Sequence, residues 1–159
     1  MNKNVFKVAA FYAFAELTNL EELQMIFTTF LQKEDIKGTV LIAPEGVNGT
    51  VAGSESGIDE FKNFLKSQDL YEPQNFKTSS CLDDPFPRLK VKLKNEIVSI
   101  GNNLADPSKI VGEYVQPEDW NHLISQEDVL VLDTRNTYEV SIGTFKKSIQ
   151  PETTNFREF

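Results

Sequence analysis

Apolar side chains in the first part of the chain recur with two different periods, which separate a strand from a helix. Residues 5–12, VFKVAAFY, are apolar and rich in β-branched and aromatic residues, and this composition predicts a strand. Thr18 or Asn19, together with Glu21 or Glu22, offers a capping box for a helix that begins there. The apolar face of that helix has helical spacing and consists of Leu20, Leu23, Ile26, Phe27, Phe30 and Leu31.

A β-hairpin is predicted after this helix. GTVLIA, residues 38–43, is a short apolar run suited to a central strand. The dipeptide Asn48-Gly49 accepts the positive φ angles of a tight turn, so the hairpin is predicted to turn there. TVA, residues 50–52, is then the antiparallel partner strand.

A second helix and a last strand complete the first unit. Ser56 and Asp59 stand at the predicted start of the helix, and RLKVKLKNEIV, residues 88–98, alternates with period two as a strand does. The helix has an apolar face made of Ile58, Phe61, Phe64 and Leu65. The order βαββαβ matches the split βαβ, ferredoxin-like (acylphosphatase-like) α+β arrangement, in which two helices cover one face of an antiparallel sheet and the other face stays open.

The sequence changes character after residue 100. Residues 101–116 mix Gly, Pro, Asn and Asp without periodicity, which predicts a linker between a domain at 1–100 and a second domain at 117–159. In the second domain PEDWNHLISQ, residues 117–126, predicts a short helix, and VLVL, residues 129–132, predicts a buried strand of a parallel sheet. So short a segment cannot close a doubly covered parallel sheet, so we expect this α/β domain to be incomplete.

Composition and charge narrow the class of protein. The formal net charge is −8, with 16 Lys and Arg against 24 Asp and Glu, so any site for a polyanion must be a local patch. No apolar run approaches the roughly 20 residues of a membrane-spanning helix, and the first residues lack the long apolar region of a signal peptide. We therefore expect a cytoplasmic protein without a membrane partner.

The single cysteine and the single histidine offer little chemistry. Cys81 cannot form an internal disulfide, and its neighbours Asp83 and Asp84 disfavour a reactive thiolate. His122 is expected on the surface of the short helix. The sequence contains no metal-ligand spacing, Ser-His-Asp arrangement or phosphate-loop motif, so no metal site is expected.

Two features of the first domain are candidates for ligand binding. Arg88, Lys90, Lys92 and Lys94 occupy every second position of the last predicted strand, which places them on one face at intervals of about 6.6 Å. In an otherwise acidic protein this stripe could orient RNA, but an ordinary solvated sheet face explains the same pattern. The Gly-rich loop at 44–49 could present Asn48 to a ligand, or it is a hairpin turn alone.

A third candidate lies at the carboxyl end of the VLVL run. Asp133, Arg135 and Glu139 follow that predicted strand, where α/β folds place ligand sites. A structural role is the alternative, because Arg135 and Glu139 are spaced for an ion pair across one helical turn, and Asp133 can cap the helix start.

Two parts of the sequence resemble a known family. VLVLDTRNTYEV and the following IGTFKKSI resemble the opening of a rhodanese domain, although Ile142-Gly143-Thr144-Phe145 stands where that domain has a Gly-His-Ile-x-Gly-Ala stretch. Upstream, KGTVLIAPEGVNGTVAGS and PFPRLKVKLKNEIVSIG resemble the amino-terminal domain of the rhodanese-type tRNA uridine hydroxylases, the TrhO family. Together the two parts span nearly the whole chain.

The resemblance implies an enzyme that hydroxylates position 5 of the wobble uridine of certain tRNAs, with molecular oxygen as co-substrate and an essential cysteine in the rhodanese loop. That cysteine is expected beyond Phe159, so we expect the chain alone to be inactive. Asp133, Arg135 and Glu139 would then scaffold the rhodanese site. The implied partner is tRNA, with no DNA partner and no further cofactor evident, and the candidate tRNA contacts are Arg88, Lys90, Lys92, Lys94 and Asn48.

Two alternatives stay open. The first is a non-catalytic module that binds RNA or a protein through the ferredoxin-like domain. The second is a hydrolase of the acylphosphatase kind, which cleaves acyl phosphates with an Arg and an Asn. Arg88 lies on the last predicted strand and not in a Gly-rich phosphate loop, which disfavours the hydrolase.

Overall fold

The computed structural model describes residues 5–97 and 112–151. The chain divides into two compact units, residues 1–98 and 99–159. None of the helices in the described ranges has the length and apolar character needed to cross a membrane.

A mixed five-stranded sheet with two helices forms the first unit. The strands are β1 (Phe6–Phe14), β2 (Lys37–Ala43), β3 (Gly46–Gly53), β4 (Phe76–Cys81) and β5 (Leu89–Leu93), in the spatial order β4-β1-β3-β2-β5. The helices are α1 (Leu20–Lys33) and α2 (Glu55–Ser67), and a short 3-10 helix spans Pro73–Asn75. The pairs β1/β3, β1/β4 and β2/β3 are antiparallel, whereas β2/β5 is parallel.

The predicted α+β, ferredoxin-like order is confirmed, but its last strand is a different segment. The strand that closes βαββαβ is β4, for which the sequence predicted no element. The basic segment predicted as that strand is β5, an added strand on the opposite edge of the sheet, and it is shorter than the predicted 88–98. The reason is that β4 is an edge strand with four exposed residues, so it carries almost no apolar alternation.

The hairpin turns four residues earlier than predicted. Pro44 and Glu45 form the turn, and Asn48 and Gly49 lie inside β3, opposite Leu41 and Val40 respectively. A proline after the first turn residue and a glycine at the fourth position favour such a turn, and Gly46 has a φ of 141°. Gly49 is needed in the strand for packing, because a Cβ there would lie 2.9 Å from ring atoms of Phe11.

The starts of both helices also differ from the prediction. Asn19 precedes α1 in the left-handed conformation, and its side chain makes no capping hydrogen bond, so the predicted capping box is wrong. Ser54 caps α2, with its Oγ accepting a hydrogen bond of 3.0 Å from the N–H of Gly57. The cap therefore lies ahead of the predicted Ser56 and Asp59.

The core lies between the two helices and one face of the sheet. Phe27 of α1 and Phe61 of α2 are fully buried, and Phe61 meets the ring of Phe11 on β1 edge-on at 5.0 Å between centroids. Burying each such side chain contributes roughly 1.5–3 kcal/mol relative to exposure. The buried core residues of the sheet are Ala9, Phe11, Ala13, Val40, Ile42, Val47 and Val51. The helices thus occupy one face only and leave the other face of the sheet without a helix.

The second unit contains two short helices, α3 (Pro117–Leu123) and α4 (Thr137–Ile142). The prediction of a buried strand at 129–132 is wrong for the described residues: Leu132 alone forms a parallel bridge, with Ile149, and its side chain is 47% exposed. The N–H of Asp133 donates to the carbonyl of Ile149 at 2.9 Å, which completes this small parallel contact. A strand of a parallel sheet needs cover on both faces, and the described residues supply too little.

The rhodanese-like part of the fold prediction is therefore not shown by residues 112–151. The predicted helix at 117–126 is present but ends at Leu123. The predicted linker at 101–116 lies mostly outside the described residues. The predicted boundaries of the two domains stay predictions.

Candidate functional site

The sheet face opposite the helices brings residues of five strands into rows. Ala10 of β1 pairs with Lys77 of β4 on one side and with Thr50 of β3 on the other. Thr50 in turn pairs with Thr39 of β2, which pairs with Lys90 of β5. Paired residues in a sheet point to the same face, so these five side chains form one row across the whole sheet. Ala10 is exposed, and Thr39, Thr50 and Lys90 are half-buried.

A second row runs beside the first. Asn48 of β3 pairs with Tyr12 of β1 and with Leu41 of β2, and Leu41 pairs with Lys92 of β5. Two predicted site residues, Asn48 and Lys92, are therefore on the same face, about 10 Å apart across the intervening strand. We call the surface formed by both rows the open face: Lys77, Ala10, Thr50, Thr39, Lys90, Tyr12, Asn48, Leu41 and Lys92.

The predicted alternation along β5 is confirmed. Leu89, Val91 and Leu93 pack against the core, so Lys90 and Lys92 point to the open face. Arg88 and Lys94 lie just outside the strand and are exposed. They are still held beside β2, because the carbonyl of Arg88 accepts from the N–H of Gly38 (3.2 Å) and the N–H of Lys94 donates to the carbonyl of Ile42 (2.8 Å).

The charges of this stripe are not neutralised within the described part of the chain. The ion pairs there are Lys7–Glu55, Lys33–Glu34, Lys37–Asp84 and Arg135–Asp133, and none includes a cation of the stripe. β5 is also an edge strand, and lysines on an edge oppose pairing with another chain. Binding of RNA by Arg88, Lys90, Lys92, Lys94 and Asn48 stays a prediction.

One end of the open face carries an ion pair that the sequence analysis missed. The Nζ of Lys37 on β2 lies 2.6 Å from Oδ2 of Asp84, which belongs to the connection between β4 and β5. The hydrogen bond from Lys37 lowers the pKa of Asp84, helped by the N–H of Phe86, and the same bond raises the pKa of Lys37. The two residues are 47 positions apart, so no local pattern links them.

The hairpin turn uses backbone amides that a phosphate loop would need. The N–H groups of Ala15 and Leu17, in the connection between β1 and α1, donate to the carbonyls of Glu45 (3.0 Å) and Pro44 (2.8 Å). The Glu45 carboxylate in turn accepts from the N–H of Ile97 at 2.5 Å. The connection contains no glycine and no arginine, which disfavours a phosphate site of the acylphosphatase kind there.

In the second unit Asp133 is the centre of a hydrogen-bonded cluster. Arg135 donates to both carboxylate oxygens, from Nε to Oδ1 (2.9 Å) and from Nη2 to Oδ2 (2.6 Å), and Thr144 Oγ1 donates to Oδ2 (2.7 Å). These bonds, first that from Arg135 and then that from Thr144, hold the pKa of the buried Asp133 carboxyl well below its usual range. Arg135 Nη2 also donates to the carbonyl of Gly143 at 2.8 Å.

Glu139 does not form the ion pair that its spacing predicted. Its carboxylate accepts from the N–H and from Nδ2 of Asn136, at 3.2 and 2.8 Å, and Asn136 is the residue that caps α4. The predicted cap by Asp133 is also wrong, because its carboxylate accepts hydrogen bonds from the Arg135 side chain and the residue that caps α4 is Asn136. The sequence did not indicate Thr144 as a partner of Asp133, because it lies in the stretch that differs from the Gly-His-Ile-x-Gly-Ala stretch of rhodanese domains. The cluster joins Asp133 and Arg135 to Gly143 and Thr144 through hydrogen bonds. Its role in a rhodanese site stays a prediction.

The remaining candidates add no reactive centre to this site. The Sγ of Cys81 donates to the carbonyl of Asp83 at 3.2 Å. His122 is exposed on α3. In the described ranges no group of three or more His, Cys, Asp and Glu side chains is placed to hold a metal ion.

An apolar groove lies on the helix layer, away from the open face. It has a volume of about 560 Å³ and is lined by Glu22, Met25, Ile26, Thr29, Phe30, Lys33 and Phe64. Met25 is 65% exposed, and the rings of Phe30 and Phe64 stack at 4.3 Å between centroids. The exposed apolar side chains of its lining, such as Met25 and Ile26, could pack against an apolar surface of another molecule.

Comparison with known proteins identifies relatives of the whole chain. A family model described as UPF0176 acylphosphatase like domain matches residues 6–97. A protein named tRNA uridine(34) hydroxylase from Bartonella quintana (strain Toulouse) is 50% identical over 159 residues, which is 100% of this chain and 52% of that protein. A protein of the same name from Agrobacterium fabrum (strain C58 / ATCC 33970) is 49% identical over 154 residues, 97% of this chain and 49% of that protein.

This chain spans about half the length of the curated relatives it matches. Among solved structures, an acylphosphatase from Coxiella burnetii gives a TM-score of 0.41 at 13% identity, covering 57% of this chain and 95% of that one. Full-length HypF gives 0.42 at 17% identity, covering 59% of this chain and 13% of that one. Both TM-scores are below 0.5, so nothing further about this chain follows from them.

Proposed function

This chain belongs to the UPF0176 family, and we propose that the protein containing it hydroxylates uridine 34 of tRNA. The observation that carries the proposal is the 50% identity, over all 159 residues, to a protein named tRNA uridine(34) hydroxylase. Such similarity over the whole length extends across both the sheet domain and the Asp133 cluster.

The proposal includes the finer features that the resemblance implies. The hydroxyl group is placed on position 5 of the uridine, and molecular oxygen is the co-substrate. The resemblance implies a catalytic cysteine in a rhodanese loop beyond Phe159, so we expect the 159-residue chain alone to be inactive. Asp133 and Arg135 hold the first loop of the rhodanese site in place, and the reaction takes place in the cytoplasm.

We assign tRNA docking to the first unit. The stripe of Arg88, Lys90, Lys92 and Lys94 concentrates positive charge in a protein whose net charge is −8, so a polyanion would be drawn to this surface rather than elsewhere. Asn48 on the open face offers an amide that can both donate and accept hydrogen bonds.

Deletion of the gene tests this function. We expect tRNA from the deletion strain to lack 5-hydroxyuridine at position 34, and the natural gene to restore it, as measured by mass spectrometry of isolated tRNA. A deletion strain with unchanged hydroxylation at position 34 would overturn the proposal.

The groove on the helix layer supports a second candidate, a non-catalytic module that binds a protein. Met25 and Ile26 are exposed there on an apolar surface, and exposed apolar patches often mark protein contacts. Met25→Lys and Ile26→Lys in the natural gene separate the two functions. If hydroxylation of tRNA is unaffected, the groove is not part of the modification reaction, whereas a strain whose only defect is loss of a protein complex would favour the module.

A further inference from the structure

We propose that the row formed by Lys77, Ala10, Thr50, Thr39 and Lys90 is a trough that binds single-stranded RNA, with one unpaired base lying over Ala10. The inference rests on the proposed function for its partner, tRNA. It adds a site that crosses the sheet from edge to edge, whereas the basic stripe follows β5 alone.

The distribution of charge over the sheet is the first support. The five strands contain five lysines and no aspartate or glutamate, although the chain has 24 acidic residues. Lys7 is paired with Glu55 of α2 at 3.3 Å. Lys77, Lys90 and Lys92 lie on the open face, and none takes part in an ion pair within the described ranges. The sheet is therefore a basic surface on an acidic protein, which is the charge pattern that a nucleic acid requires.

The size of the side chains is the second support. Ala10, Thr50 and Thr39 form a low floor about 10 Å wide between the edge lysines, whose strands lie about 19 Å apart. The neighbouring row, with Tyr12 and Leu41, rises along one side. The face stays open at the floor, because Ala10 is exposed.

The opposite side of the floor is closed. Ala52 lies one row away, between Val8 and Lys37, and is only 2% exposed. The ion pair of Lys37 with Asp84 lies at this end of the sheet. Since Ala52 is covered and Ala10 is exposed, the base would lie over the row of Ala10 and not over that of Ala52.

The chemistry of the floor fits an unpaired base better than a helix or a duplex. A flat surface of small side chains accepts a planar ring, and the hydroxyls of Thr39 and Thr50 and the amide of Asn48 both donate and accept hydrogen bonds. Four-stranded sheets with an open face bind single-stranded RNA in other proteins, where the bases stack on aromatic side chains. On the open face Tyr12, in the neighbouring row, supplies an aromatic ring beside the floor. A protein partner would gain little from a surface ringed by uncompensated lysines.

The test compares RNA binding by the full-length protein and three variants. The probe is a fluorescent seven-nucleotide uridine-rich RNA, titrated at several salt concentrations. Lys77→Gln removes a cation on the edge remote from the stripe, and Ala10→Leu fills the floor without changing charge. Lys66→Gln on α2 is the matched control, because Lys66 is exposed and takes part in none of the ion pairs within the described ranges.

We expect Lys77→Gln to weaken binding several-fold and to reduce the slope of log K against log salt by about 0.7. Ala10→Leu weakens binding with the slope unchanged, and Lys66→Gln binds as the unaltered protein does. Both test positions are exposed, and NMR of the unaltered protein gives a second measurement in which RNA shifts the amides of Ala10, Thr39 and Thr50.

Binding unchanged by Lys77→Gln and by Ala10→Leu, with these amides unmoved, would overturn the trough. If hydroxylation of uridine 34 still depends on the gene in that case, the proposed function stands and only the trough fails. Hydroxylation that persists in the deletion strain is a separate failure, that of the proposed function, and the binding curves do not report on it.

Discussion

Lys37 on β2 and Asp84 in the connection between β4 and β5 form an ion pair of 2.6 Å at one end of the open face. β4 and β5 are at opposite edges of the sheet, so the connection of residues 82–88 has to pass from one edge to the other. The pair fixes this connection to β2. It also neutralises one lysine of the sheet and leaves Lys77, Lys90 and Lys92 as the open-face cations without an ion-pair partner in the described ranges.

Asp84→Asn should therefore strengthen RNA binding. Without the carboxylate, Lys37 becomes available to a phosphate, and one more cation contributes to the salt dependence. We expect a steeper slope of log K against log salt, by about 0.7, for the same seven-nucleotide RNA. Asp83→Asn is the matched control, because the side chain of Asp83 is in none of the ion pairs within the described ranges. Weaker binding by Asp84→Asn would show that the pair holds the site in shape instead.

Gly46→Ala tests the position of the hairpin turn. Gly46 has a φ of 141°, and a Cβ there would collide with the carbonyl of Ala13. We expect a loss of more than about 1 kcal/mol in the free energy of unfolding, measured with urea. Gly112→Ala is the control, since nothing lies within 4 Å of its added Cβ. A large loss from Asn48→Ala with none from Gly46→Ala would place the turn at Asn48-Gly49 after all.

The hairpin illustrates how far the sequence could predict this fold. The helical and strand periods located β1, α1, β2, α2 and β5 because each of these elements packs one apolar face on the core. The dipeptide Asn48-Gly49 has the chemistry of a turn, but Gly49 serves the packing of Phe11, and only the tertiary structure contains that contact. The packing of Gly49 against Phe11 therefore outweighs the turn preference of Asn48-Gly49.

The pKa of Asp133 offers a test by pH. Hydrogen bonds from Arg135 and Thr144 lower it from an ordinary value of 3.8. Because the folded-state pKa is the lower one, the carboxylate stabilises the second unit above the ordinary value, and this contribution is lost as the pH falls through the folded-state value. We expect the carboxyl carbon of Asp133, followed by NMR, to show no titration between pH 7 and pH 4, and Arg135→Gln to raise its pKa more than Thr144→Val does. Titration near the ordinary value in the unaltered protein would contradict the cluster.

Hydrogen exchange should distinguish the two units. Leu130 is 63% and Ile149 49% exposed, so the described part of the second unit has little apolar cover over the parallel bridge of Leu132 and Ile149. We expect amides in residues 117–151 to exchange faster than those in residues 6–93, measured by mass spectrometry on the 159-residue chain. Equal protection of Asp133 and Val51 would mean that the second unit is as stable as the sheet.

The candidate site could be predicted from the sequence only where its residues are close along the chain. The stripe on β5 follows from alternation within one segment, and it was found. The row of Lys77, Ala10, Thr50, Thr39 and Lys90 draws on five strands and depends on β4, whose polar sequence gave no strand signal. The Lys37–Asp84 pair and the contact of Thr144 with Asp133 likewise join separated residues, so the register of the fold was needed to see them.

Hydroxylation at position 34 in living cells tests the central claim most directly. A strain lacking the gene is complemented with the natural full-length gene, with the triple variant Lys77→Gln, Lys90→Gln, Lys92→Gln, or with Lys66→Gln, at equal protein levels. The fraction of 5-hydroxyuridine at position 34 is then measured by mass spectrometry of isolated tRNA. We expect full hydroxylation with the natural gene and with Lys66→Gln, and a several-fold smaller fraction with the triple variant. Equal fractions in all three strains would contradict tRNA docking on the open face, and no hydroxylation with the natural gene would contradict the function itself.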